Sequence, residues 1–84
     1  MYKVVHYYKE MVVGKSVKEE VVEGDEFRLR RNALHYVLDI VRSDLKADGW
    51  GTEPIVGGIN CYKSEKLKEG GRKIMNVIVK VEKA

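Results

Sequence analysis

His6, His35 and Cys61 are the side chains of this 84-residue chain best suited to metal ligation or nucleophilic chemistry. A zinc site would announce itself by close pairs such as CxxC or HxxxH, and a calcium site by an acidic EF-hand loop. Neither spacing occurs, and nothing in the order of residues draws the three together. Cys61 could act as a nucleophile only with a base such as His35 beside it to lower its pKa. It stands between Asn60 and Tyr62 in an apolar stretch, where a free cysteine usually behaves as a small buried hydrophobe. Asp25-Glu26 reads as a charge pair at a helix N-terminus rather than a general base. These residue types imply no catalytic group, no metal and no cofactor, and the sequence names no reaction.

Phosphate chemistry is a second candidate. Gly49, Gly51, Gly57 and Gly58 match neither GxxxxGK[ST] nor GxGxxG, and they follow the helix, whereas a phosphate loop precedes one. The cations are more informative. The net charge of +3 lies wholly in residues 49–84, which hold seven cations and four anions; residues 1–24 and 25–48 each balance. Lys63, Lys66, Lys68, Arg72 and Lys73 stand against only Glu65 and Glu69, which predicts a basic hairpin. Arg28, Arg30 and Arg31 cluster near a helix start, where each opposes the macrodipole by about a few tenths of a kcal/mol. An anion would offset that cost, since guanidinium suits phosphate. The alternative is that these arginines precede the helix or pair with Glu23, Asp25 and Glu26. Together the eight cations predict an anion-binding surface for nucleic acid or a nucleotide, with tyrosines to stack bases. No RNP aromatic sequence, GXXG loop or helix-turn-helix accompanies them.

A third candidate is apolar. The helix expected over Asn32–Asp48 carries a core stripe of Leu34, Val37, Leu38, Val41 and Leu45. Beside it runs a second stripe, Leu29, Ala33, Tyr36 and Ile40, with a charged flank of His35, Asp39, Arg42 and Lys46 opposite. One sheet cannot easily cover both stripes. The second must meet the following loop, another copy of the chain or a partner. Leu29, Tyr36, Ile40 and Trp50 are therefore the candidate interaction residues. They suit a protein-interaction or inhibitor protein of the kind small mobile elements encode.

The elements that must position these groups come next. The helix is expected to begin near Asp25 or Glu26, frayed or kinked about Asn32, with Asp25 or Asn32 as N-cap, and to end at Gly49. Tyr2–Lys9, extended by Met11–Val13, and Ser16–Glu23 read as strands turning at Gly14-Lys15, with Lys9 opposite Glu20, Tyr8 opposite Val21 and an unfavourable Glu10–Glu19 pair. Gly49–Gly58 reads as an irregular anchored loop, and Ile59–Lys66 and Arg72–Glu82 as a hairpin turning at Gly70-Gly71. Met75, Val77, Val79 and Val81 mark the core face of the last strand. The expected fold is α+β in the order ββαββ, a four-stranded antiparallel sheet with one central helix packed on one face. It forms a single domain over residues 1–84. Val5, Tyr7, Tyr62, Ile74 and Ile78 fall on the face without a helix, which suggests a homo-oligomer. A lone cysteine excludes an internal disulfide framework, and no segment approaches the ~20 apolar residues of a membrane span. A cytoplasmic protein with no membrane contact is the expectation.

Overall fold

The strongest alternation in the chain, from Arg72 to Lys83, becomes the centre of one antiparallel sheet. The computed structural model describes residues 1–15 and 17–84. Its strands are β1 (Tyr2–Val12), β2 (Val17–Phe27), β3 (Gly51–Ile55), β4 (Gly58–Lys66) and β5 (Arg72–Lys83), with a helical region between β2 and β3. They lie in the order β2-β1-β5-β4-β3. Two hairpins, β1–β2 and β4–β5, are thus joined through β1 and β5, which pair from Tyr2↔Lys83 to Val12↔Lys73. The fold is α+β with an antiparallel sheet and helix on one face, as the sequence implies, but the sheet has five strands.

The added strand is β3, which falls in the stretch expected to be an irregular loop. Thr52 and Ile55 pair with Cys61 and Gly58 of β4, and a two-residue turn at Val56-Gly57 closes the hairpin. Gly57 has φ +79, the conformation a type II turn needs at its third position. Pro54 is tolerated because β3 is an edge strand, where one side of the backbone needs no partner.

The N-terminal hairpin is also shifted by one residue from expectation. Lys9 faces Glu19, Tyr8 faces Glu20 and Glu10 faces Lys18. This register replaces a Glu–Glu repulsion with an opposite-charge pair, and Lys9 Nζ lies 3.8 Å from Glu19 Oε1. The Lys15 N–H donates to the Val12 carbonyl at 3.0 Å across the turn. Ser16, expected to begin the second strand, lies outside the described residues.

Asp25, Glu26 and Phe27 remain in β2, so the helix does not begin there and neither Asp25 nor Asn32 is its cap. Phe27 stays opposite Tyr2, and its ring lies 5.3 Å from that of Tyr36; these contacts hold the strand past the expected break at Gly24. The helical region comprises α1 (Arg30–His35), a π-wound segment Tyr36–Val41, and α2 (Arg42–Ala47). Leu29 is the N-cap residue, with extended backbone and no side-chain cap bond.

The winding explains which side chains are buried. Ala33, Val37 and Val41 face the core, with Leu45 packed against it. These four are spaced by four residues each, which in a pure α-helix would rotate the stripe by about 40° per step. The π segment closes its hydrogen bonds one residue further along and so keeps the stripe straight over the sheet. Leu34 is consequently half-buried and Leu38 exposed, and Ala33, assigned by periodicity to the second stripe, is core. The sheet contributes Val4, Ile59, Cys61, Val77 and Val79.

Candidate functional site

The 18 residues of helix span about 27 Å, less than the ~36 Å of an eleven-residue strand. Because α1 follows Phe27, the helix covers the Tyr2–Phe27 end of the sheet and leaves the β1–β2 and β4–β5 turns bare. It packs against β1, β5, β4 and β3 and leaves β2 uncovered beyond its Phe27 end, since every residue of β2 except Phe27 is exposed. A cleft of about 410 Å³ opens where α2 and the following loop meet this bare strand. Leu45 and Trp50 form one wall, Val22, Glu20 and Gly24 of β2 the other, and His6, Tyr8 and Val77 the floor. Burial pushes the His6 imidazole pKa below its usual value.

A second depression of about 240 Å³ lies across the opposite face of the same strands. Tyr7, Ile78 and Asn76 form its floor, and Val21, Glu19 and Lys9 its β2 side. Both depressions therefore border the same short segment, Glu19–Val22. Val21 and Val22 are 61% and 47% exposed; as consecutive strand residues they point to opposite faces, one toward each depression.

The expected anion surface divides in two. Arg28, Arg30 and Arg31 lie at the Phe27 end of the sheet, and the Lys66–Arg72 turn lies at the other end, about 30 Å away along the strands. No single compact ligand can touch both. Within the basic hairpin, Lys63 is occupied: its Nζ donates to the Asp48 carbonyl at 2.8 Å and lies 6.0 Å from the Trp50 ring centroid. Lys73 pairs with Glu10 at 2.5 Å, and Arg72 Nη1 donates to Ser64 Oγ at 3.2 Å. Lys66 and Lys68 form no ion pair among the described residues. The same is true of Arg28, Arg30 and Arg31, which are exposed, and the first turn of α1 holds no acidic residue.

Of the apolar candidates, Leu29 and Ile40 are exposed, Tyr36 is half-buried against Phe27, and Trp50 packs on the core at the cleft wall. Only Trp50 lines the cleft, so the structure does not gather all four into one patch. The cleft residues missed in the sequence are His6, Tyr8, Glu20, Val22 and Leu45. The signal for them is the dipeptide Val21-Val22 within the acidic run from Glu19 to Glu26, which places one valine on each face of a strand too charged to be internal.

His6, His35 and Cys61 are not brought together. Cys61 is fully buried beneath the helix, and burial raises its thiol pKa, opposed by the Arg42 charge. His35 is exposed beside Asp39, 3.3 Å away. No group of three potential metal ligands occurs among the described residues. No helix of the described chain is long and apolar enough to cross a membrane. No family model, curated protein or solved structure matches this chain.

Proposed function

We propose that this chain is a protein-interaction module whose binding surface is the uncovered β2 strand and the helix-side cleft beside it. The observation that carries this reading is the convergence of both depressions on Glu19–Val22, a strand segment with solvent-exposed valines on its two faces. A small-molecule pocket closes around its ligand and offers a few converging polar groups; this cleft stays open along a sheet edge and is mainly apolar, which suits a side chain delivered by another polypeptide. Panning a random linear-peptide display library on the wild-type protein and on Val22→Glu is the test. Enrichment on the wild type that is lost on the variant supports the reading. Equal enrichment on both, or none on either, refutes it.

A second reading, anion binding, rests on the three arginines that form no ion pair among the described residues. In it Arg28, Arg30 and Arg31 alone hold phosphate groups of a nucleotide or nucleic acid, without the distant hairpin. A rise in melting temperature on adding oligonucleotide, absent in Arg30→Gln/Arg31→Gln, is its expected signature. We also propose self-association through the back face, where Tyr7, Ile78, Val21, Met11, Ile74 and Tyr62 share one side of the sheet with no helix over them. Sedimentation at micromolar concentration giving the 9.6 kDa of one chain would refute it.

A further inference from the structure

β2 is an edge strand of eleven residues, and its sequence VKEEVVEGDEF carries five carboxylates and one lysine. Edge strands present unpaired backbone groups that can template pairing with another chain. Glu19 is drawn toward Lys9 and Glu23 toward Lys3, at 3.8 and 2.6 Å, whereas Glu20, between the two depressions, has no cationic partner among the described residues. β3, the other edge, is five residues long and contains Pro54. The long, proline-free β2 is therefore the better template.

A second copy of β2 does not fit. Two-fold antiparallel pairing centred between Val21 and Val22 sets Glu20 against Glu23 twice. Centring on Val21 opposes Glu19 and Glu23, and centring on Val22 opposes Glu19 and Asp25. Like charges directly across a ladder are destabilising, so each register that uses the valines is self-repelling. The same carboxylates favour a cationic strand.

Resting on the interaction reading above, we infer that β2 accepts an extended basic segment of a partner protein as a sixth strand, by backbone pairing along Glu19–Glu23. The alternation of the sheet sets the pattern of that segment. Residues opposite Val22 and Val21 are apolar; the first drops toward Trp50 and Leu45, the second onto Tyr7 and Ile78. Residues opposite Glu19, Glu20 and Glu23 are lysine or arginine. Read in the antiparallel sense, the partner segment runs basic, apolar, apolar, basic, basic.

The test is titration of the isotopically labelled full chain with the peptide Thr-Lys-Val-Val-Lys-Lys-Thr, followed by amide shifts and amide hydrogen exchange. Three comparisons accompany it: a peptide N-methylated at alternate residues, one with Glu for Lys, and the Glu20→Lys protein. The expected result is slowed exchange of β2 amides, binding that weakens with salt, loss of binding for the N-methylated and Glu peptides, and an affinity at least about tenfold lower for Glu20→Lys. Shifts confined to His6, Leu45 and Trp50, with β2 exchange unchanged, would overturn strand pairing and leave the interaction surface standing. Equal binding of the N-methylated peptide would do the same. No shift near either depression at millimolar peptide would overturn the inference; the display experiment decides separately whether the wider reading also falls.

Discussion

Gly58 is where the sheet tolerates no side chain. A Cβ there would overlap the Val79 carbonyl oxygen and lie 2.9 Å from its carbon and 3.0 Å from Lys80 Cα. These are backbone atoms of the central strand, so no rotamer change relieves the clash. Restoring ordinary contact requires β4 and β5 to part by on the order of 1 Å. That opens the Gly58↔Lys80 pairing and threatens the Val81 N–H bond to the Gly57 carbonyl, 2.9 Å long. At about 1–3 kcal/mol for each of these two disrupted backbone pairings, Gly58→Ala should lose about 2–6 kcal/mol. A domain of this size holds roughly 4–13 kcal/mol in all, so the variant should lose a large share of its stability. Gly51→Ala is the control. Its Cβ would overlap the Tyr62 ring, but Tyr62 is an exposed side chain free to swing aside, and the loss should stay below about 1 kcal/mol. Urea denaturation followed by far-ultraviolet dichroism measures both. A Gly58→Ala protein within about 1 kcal/mol of wild type, or one less affected than Gly51→Ala, would refute the reasoning.

Arg30→Gln/Arg31→Gln should leave ligand-free stability unchanged or slightly raised, because two cations that oppose the α1 dipole are removed; a loss of several kcal/mol in a urea melt would show buried carboxylate partners instead. Cys61→Ala should cost about 1 kcal/mol as a small core truncation, and the native thiol should resist alkylation until the chain is unfolded; a folded Cys61→Ala protein that loses a measured activity would contradict this. The lowered pKa of His6 means the unfolded chain takes up protons more readily. Its contribution to stability is therefore full above about pH 6.5 and falls as the pH drops below that. Melts between pH 7 and pH 5 should show this loss in the wild type and a flatter profile in His6→Gln.

The parts of the fold that were legible in the sequence are those where burial imposes a period. Met75, Val77, Val79 and Val81 alternate because β5 is central, and Val37 and Val41 lie in the helix core. β3 was hidden because an edge strand needs little apolar alternation, and Pro54 with four nearby glycines resembles a loop. The start of the helix was hidden because Gly24-Asp25 forms an irregularity within β2, where the register shifts between Lys3 and Val5, rather than ending the strand. Regular α-helical periodicity puts Ala33 in the second stripe, whereas the π-wound segment Tyr36–Val41 that follows α1 keeps Ala33 in line with Val37 and Val41. The arginine cluster was recognisable by residue type, but its distance from the basic hairpin depends on which way the strands run. The β2 surface was harder to see, since its exposure follows from where the helix sits and not from its own composition.

The pairing of β1 with β5 has a consequence for how the molecule comes into being. The central strand β5 and its neighbour β1 are far apart in sequence, and the Ala84 N–H reaches the Met1 carbonyl at 3.0 Å. The inner edge of β1 stays open until β5 has been made, so the sheet closes its most distant contacts late, a topology associated with slow folding. During that wait β1 and the acidic β2 stand as a free hairpin. The five carboxylates that repel a second copy of β2 would also discourage nascent chains from pairing with one another. The same adjacency lets a short linker join Ala84 to Met1 of this sequence, and with new ends opened at the Val56-Gly57 turn the result should be a protein with the same sheet and a different order of assembly.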